Sequence, residues 1–398
     1  MTTPFPFVAG QVLTAAQLND IQNLPISDKT ASYTLIAGDV TKRTIMNNAS
    51  ATTITVNNSI FTVGDVIQVA NKGAGVCTIT AGAGVTINTS GSLALAQYGG
   101  GYLLALSAST FTFFNLGGGA ALPSAVDYLC VAGGGGGGNG GAAAFNGGGG
   151  GAGGLRSTVT ATGGGGSLET AFKPTSGVTY TITVGAGGAS NTSGVNSSIA
   201  GTGLTTITST GGGRGSGTNA AANGGSGGGA QGNSSGAGSP GTGTANEGFS
   251  GGAGQAISPF FGGGGGGAGE AGNTDGTGEG GDGIAVTISG SSVTYAGGGG
   301  AAVGLSAVGA AGGLGGGGTG RGNSPSGLTG NPGTANLGAG GGGANDVSSP
   351  AGGAGGKGVI ILRQSNGVVA SITGGTASVS GTNIVYTFND SGTISWTI

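Results

Sequence analysis

Apolar residues follow three different rhythms along this chain. Near the start, Ala15, Leu18, Ile21 and Leu24 fall at helical spacing. Thr14 followed by Gln17 makes a capping-box pattern, and Pro25 stops the run. This predicts a short amphipathic helix, marginal alone in water, whose stripe docks on its own neighbouring domain or on a partner. From Asp28 to Gly119 the rhythm is alternating. Short runs at Tyr33–Ile36, Thr53–Val56, Val66–Val69, Val76–Thr80, Val85–Ile87, Tyr102–Leu106 and Phe111–Leu116 are separated by turn residues. Their spacing predicts a β-sandwich or barrel of about 90 residues, enough for a modest core.

Beyond residue 120 glycine takes over. It supplies 85 of the 227 residues from Val131 to Lys357, with pure runs at Gly133–Gly138, Gly147–Gly151, Gly163–Gly166, Gly262–Gly267, Gly297–Gly300, Gly315–Gly318 and Gly340–Gly343. Strand-like segments interrupt it: Ala125–Val131, Val178–Val184, Leu204–Ser209, Ile284–Ile288 and Val359–Leu362, the last an apolar run suited to burial on both faces. From Gln364 alternation returns, and a closing hairpin is predicted: Ile384–Phe388, a turn at Asn389–Gly392, then Thr393–Ile398.

Composition decides whether the glycine region is ordered. Charged residues make up 6% of the 398, with net charge −3, while Val, Ile, Leu and Phe occur throughout. Disordered chains couple low hydrophobicity to high charge, so order is expected here. Collagen is excluded, because glycine does not recur strictly at every third position and only 10 prolines are present. A chain without Cβ atoms can instead wind as a left-handed threefold helix of polyproline-II geometry. Such a helix has no internal hydrogen bonds, so its N–H and C=O groups must pair with adjacent helices. Ordering glycine is entropically costly, and only a bundle offsets that.

The chemistry available is sparse. There is no histidine, which removes the commonest general base and zinc ligand, and the 13 carboxylates are mostly scattered. A catalytic role is not expected, and no cofactor is implied. A polysaccharide depolymerase would need a cleft with paired carboxylates. There is no basic stripe for nucleic acid. GxGxxG matches occur by chance, and Gly352–Lys357 fails as a phosphate loop because Ala351 and Gly358 stand where glycine and Ser/Thr are required. The acidic stretch Glu270–Asp282 invites calcium, but it matches no EF-hand loop and reads as a solvated loop, so no metal site is assigned. Cys77 and Cys130 sit in strand-like runs and read as buried thiols. Met1–Gly10 lacks the pattern of a secretory signal, and no segment is long and apolar enough to cross a bilayer. Release by lysis as part of a particle is the expectation. Phe145, Phe249, Phe260, Phe261 and Tyr295 lie beside or between glycine runs. They either seal the flank of the glycine stack or project from its loops as contact residues.

These patterns meet in a resemblance. Phe7–Asn19 resembles the N-terminal segment of many bacteriophage tail proteins. Ala51–Ser59 (ATTITVNNS), Gly64–Asn88 and Gly99–Ser107 look like a β domain of phage tail appendages. Asp127–Gly138 (DYLCVAGGGGGG), Thr179–Gly188 (TYTITVGAGG) and Gly355–Leu362 (GGKGVIIL) are similar to the glycine-rich domain of tail fibres and their tip adhesins. The resemblance implies a fold that is all-β plus a polyglycine-II helix bundle, in an elongated appendage with a short N-terminal anchor helix. Its parts are an anchor at 1–27, a β-sandwich or barrel at 28–119, a glycine-rich domain at 120–363 and a hairpin segment at 364–398. The implied role is attachment. The N-terminal segment would mount on other tail or adaptor proteins, the chain would form a homotrimer, and loops with the five rings would contact a host surface glycan or outer-membrane protein. Its place would be the virion, extracellular after host lysis, with no nucleic-acid partner and no membrane insertion. Rival expectations are a purely structural virion part (baseplate or head fibre) and an ice-binding or extracellular glycine-rich protein.

Overall fold

A computed structural model describes residues 24–89, 91–116, 122–141, 146–217, 219–233, 237–258, 260–304, 308–322, 329–345, 351–365 and 368–397. The chain divides into two compact units, residues 1–121 (with 398) and 122–397. Among the described residues the structure is nearly all β, and the helical pieces are two 3₁₀ turns, Ala37–Thr41 and Gly163–Gly165. The helix expected over Thr14–Leu24 lies outside the described residues. Ile26 and Ser27, expected in the anchor segment, belong to a strand.

The first unit holds β1 (Ile26–Lys29), β2 (Tyr33–Thr34), β3 (Arg43–Met46), β4 (Thr52–Val56), β5 (Val66–Asn71), β6 (Cys77–Ala81), β7 (Thr86–Thr89), β8 (Ala94–Leu95), β9 (Gly100–Ala105) and β10 (Thr110–Asn115). From β1 to β9 they alternate between two sheets, and β10 pairs back on β9; the orders are β1-β3-β5-β9-β10-β7 and β2-β4-β6-β8. Pairing is parallel from β1 to β3 to β5 and from β2 to β4 to β6. This corrects the sandwich or barrel expectation. The two faces enclose Met46, Ile54, Ile67, Ile79, Leu103, Phe111 and Phe113 as a sandwich would, but the path is a solenoid-like coil. Partners lie 25 residues apart in both sheets, Arg43 with Gln68 and Thr52 with Cys77. Coil corners stack on each other's backbone, and a Cβ on Gly73 would lie 2.2 Å from the Asn48 carbonyl oxygen. Only glycine permits that approach.

The second unit contains β11 (Val126–Val131), β12 (Leu155–Ser157), β13 (Thr179–Thr183), β14 (Ser197–Gly201), β15 (Leu204–Ser209), β16 (Ile284–Val286), β17 (Val293–Tyr295), β18 (Val359–Ser365), β19 (Ser371–Thr373), β20 (Thr376–Ser380), β21 (Asn383–Phe388) and β22 (Gly392–Ser395). Two five-stranded sheets, β12-β11-β18-β21-β20 and β15-β14-β13-β22-β19, enclose one core around Tyr128, Tyr180, Ile182, Leu362, Tyr386 and Trp396. β11 and β18 are buried on both faces, as the apolar run of β18 implied. Their other face packs Leu129, Val131, Val359 and Ile361 against Ala152, Leu155, Ala268 and Tyr295. The expected C-terminal hairpin is not formed. β21 pairs with β18 and β20, whereas β22 pairs with β13 and β19 in the facing sheet. The short link crosses between sheets because Phe388 and Ile394 both reach the shared core. The hairpin that does form is β20–β21, turning at Gly381 with φ +60°.

The glycine segments run back and forth from these sheets in a repetitive lateral arrangement, and their hydrogen bonds repeat every third residue. The N–H groups of Gly147, Gly150 and Gly153 donate to the carbonyls of Ala344, Gly341 and Gly338. Those of Gly148, Gly151 and Gly154 donate to Ser216, Gly213 and Thr210, and those of Gly149 and Ala152 to Gly263 and Gly266, at 2.8–3.0 Å. Gly133–Gly138 does the same, cycling through Val195, Gly356, Gly151, Thr192, Gly353 and Gly148. A strand has two lateral neighbours and period two, whereas each of these segments serves three neighbours with period three.

Candidate functional site

The segments end together on the side away from the sheets. Bridges join Asn146 to Asn345 and Gly232, Phe261 to Gln255 and Val303, and Val303 to Gly322. Residues spread over 200 positions of sequence therefore form one level. Two buried amides brace it: Asn146 Nδ2 donates to the Phe260 carbonyl at 2.9 Å, and Asn345 Nδ2 to that of Val303 at 3.0 Å. Function concentrates on loops held by a rigid scaffold, which makes this end the candidate contact surface.

Of the five rings singled out from the sequence, Phe260 and Phe261 lie here. Both are half-buried, with their backbones pinned by Gly304 N–H to Phe260 O at 3.0 Å and Gln255 N–H to Phe261 O at 2.8 Å. Phe145 falls outside the described residues, although Asn146, its neighbour, is part of the level. Phe249 does not join them. Its N–H donates to the Gly267 carbonyl at 3.0 Å, at the far end of the Gly262–Gly267 run, roughly 15 Å away at about 3 Å per residue. Tyr295 is not at the surface: it is 4% exposed and packs in the core with Leu129 and Ile361, the sealing position rather than the projecting one of the two expected for these rings. Burial also pushes its hydroxyl pKa up.

A family model for a glycine-rich domain matches residues 107–365, well over half of the chain. The chain belongs to this glycine-rich domain family. The match takes in all the threefold segments and begins inside the first unit, just before β10. No curated protein matches. The chemistry of the glycine-rich domain lies in the polar side chains it carries.

Two charged groupings stand out there. Carboxylate oxygens of Glu270, Asp275 and Asp282 lie within 4.8 Å of one another. They brace their own turn: Asp282 N–H donates to Glu270 Oε1 at 3.1 Å and Leu314 N–H to Asp282 Oδ1 at 2.6 Å. Desolvation, and then the two neighbouring aspartates, hold the Glu270 pKa above its usual value. The second grouping was not foreseen. Arg156 on β12 forms a two-pronged pair with Glu169, Nε–Oε1 2.6 Å and Nη2–Oε2 2.7 Å, and Nη1 donates to the Thr208 carbonyl at 3.0 Å. The Tyr128 hydroxyl donates to the same Glu169. Beside them Glu247, 8% exposed, accepts from Thr210 N–H at 2.7 Å, and burial raises its pKa. The sequence hides this grouping, because its members lie on separate segments. Asn146 and Asn345 were also missed, and the legible signal was an asparagine bordering each of two glycine-rich runs. Both cysteines are buried and unpaired.

Proposed function

We propose that this chain is a virion appendage of the phage tail-fibre or receptor-binding class, acting by attachment and not by catalysis. In this reading the glycine segments are packed polyglycine-II helices. The three-residue cycle of lateral hydrogen bonds supports that geometry, since a threefold helix without internal bonds turns a donor to each of three neighbours in succession. The observation that carries the attachment reading is the single braced level through Asn146, Gly232, Phe261, Val303, Gly322 and Asn345. A stiff stack that brings Asn146, Gly232, Phe261, Val303, Gly322 and Asn345 to one level would offer a compact surface there, and Phe260 and Phe261 lie on it. Contacts with a surface glycan or outer-membrane protein would be individually weak and strengthened by repetition across copies.

The homotrimer belongs to the same proposal. Ile26, Arg43, Gln68, Tyr102 and Phe114 lie in register across the outer face of the first unit's six-stranded sheet. Ile26 is 64% exposed and Phe114 48%, so the row carries apolar ends with the Arg43–Gln68 hydrogen-bonded pair between them, a mixed surface that would be buried between copies. The N-terminal segment would mount the assembly on other tail or adaptor proteins of the virion. The test is competition. Purified protein should block adsorption of the parent phage to host cells, and the F260A/F261A double variant should lose that block while keeping its unfolding midpoint within a few degrees. A wild-type protein that fails to compete would contradict attachment and leave a structural virion part as the reading.

A further inference from the structure

A polar cleft of about 420 Å³ opens on the flank of the glycine-rich domain, between the loop carrying Ser167, Glu169 and Thr170 and the turn carrying Asn246 and Glu247, with Arg156 at its base. Its charges do not balance. Arg156 gives Nε and Nη2 to Glu169 and one Nη1 hydrogen to the Thr208 carbonyl, so its single positive charge is already matched by Glu169 and acts on Glu247 only through space. Glu247 is 92% buried and takes its hydrogen bonding among the described residues from Thr210. A neutral amide could also accept from the Thr210 N–H, so that bond alone does not require a carboxylate at this position. Burying a carboxylate without a cation is costly. With Glu247 ionised, Arg156, Glu169 and Glu247 together carry one net negative charge in a walled, partly desolvated space, where a counter-charge gains more than in open water.

We propose that this cleft binds a primary ammonium group carried on a small hydroxylated scaffold, of the amino-sugar class, with Glu247 as the counter-ion. The lining decides between amino sugar and lysine. Ala245 is its one apolar residue, so a four-carbon lysine stem would find no surface to lie against. Ser167, Thr170 and Asn246 instead offer hydroxyls and an amide at the rim for ring hydroxyls, and the volume accommodates one pyranose. Asn246 is held in the left-handed region at φ 62°, fixing the turn that shapes this wall. The other titratable groups around Glu247 are Arg156, Glu169, Tyr128 through its bond to Glu169, and the buried thiol of Cys130. Burial raises the Glu247 pKa, as it does those of the Tyr128 hydroxyl and the Cys130 thiol, and ammonium binding requires Glu247 ionised. Binding therefore weakens as pH falls through that raised value. The site is separate from the loop end and stands or falls independently of the attachment reading.

The test is calorimetric titration of the intact protein with glucosamine, N-acetylglucosamine and lysinamide. Glucosamine is expected to bind at least tenfold tighter than N-acetylglucosamine, which has no ammonium, and tighter than lysinamide. E247Q should weaken glucosamine at least tenfold. T170W, which crowds the rim without touching the carboxylate, should do the same and keeps the test open if E247Q fails to fold. Equal binding of the acetylated sugar, undiminished binding to a folded E247Q, or no heat with millimolar glucosamine overturns the proposal. Tighter binding of lysinamide overturns its assignment to an amino sugar.

Discussion

Replacing Gly149 by alanine puts a methyl group where the structure has none to spare. A Cβ built there lies 1.8 Å from the Gly299 carbonyl oxygen, 2.5 Å from the Gly299 carbonyl carbon and 2.8 Å from Gly265 N. Clearing 3.0 Å requires the Gly299 segment to retreat by about 1.2 Å or more, a displacement that takes hydrogen bonds of 2.8 Å beyond the bonding range. Two such bonds depend on that segment's position, Gly265 N–H to Gly299 O and Gly299 N–H to Gly150 O, both 2.8 Å. The segment cannot slide freely, since a Cβ on Gly299 would itself lie 2.1 Å from the Gly341 oxygen. Buried groups left unpaired cost about 1–3 kcal/mol each. The lower chain entropy of alanine offsets roughly 0.4–1 kcal/mol. The net expectation is a loss of about 1–5 kcal/mol, or roughly 2–9 °C in Tm for a unit of this size. The control is Gly238→Ala in the same stack, whose nearest neighbour is the flexible Gln231 Cγ at 3.2 Å; its expected change is within about 0.5 kcal/mol. The assay is thermal or urea unfolding followed by Trp396 fluorescence, since the chain's single tryptophan is fully buried between the sheets of the second unit. Equal stabilities for the two variants would refute close backbone packing as the organising contact.

Glu247 gives a pH signature. Its folded pKa is raised by burial, so the native state binds more protons than the unfolded chain between the ordinary glutamate value and the raised one. Its contribution to stability is fully present below the unfolded value and is lost as pH rises through the folded one. E247Q should therefore gain on wild type as pH rises across that window, and a gap that narrows instead would contradict the burial argument. Burial likewise pushes the Cys130 thiol up to about 12 and raises that of Cys77. Neither should react with a thiol reagent at pH 8 in the native protein, and both should react once it is unfolded.

Much of the fold was legible where side chains alternate cleanly. The runs at Tyr102–Leu106 and Phe111–Leu116 appear as β9 and β10, and the apolar run at Val359 appears as a strand buried on both faces. The strands that escaped, such as β1 (ISDK), β14 (SSIAG) and β20 (TASVS), are short and mostly polar or small, and the large apolar residues of β1 and β20, Ile26 and Val379, are exposed and break the alternation. They are strands because their neighbours offer paired edges, which no local pattern displays. Alternation also cannot separate a sandwich from a solenoid, because both bury one face of each strand. The only trace of the coil was the echo of Thr52–Val56 in Cys77–Ala81, and two copies make a weak period. Asn389–Gly392 has the composition of a hairpin turn, yet the pull of Ile394 and Trp396 toward the core on the other sheet decides the pairing. Glycine runs display their lack of side chains but not their partners, so the shared level of Asn146, Phe261 and Asn345 and the Arg156–Glu169–Glu247 grouping became visible only once the segments were placed in space.

Amide hydrogen exchange over Gly133–Gly138, Gly147–Gly154 and Gly262–Gly267 in the intact protein tests the central claim most directly, since the N–H groups along these runs donate to neighbouring segments. The account predicts protection comparable to that of β11 and β18, the strands the runs adjoin, lost in one step with global unfolding. Exchange of these glycines at the rate of an unstructured chain, while β11 and β18 stay protected, would contradict it.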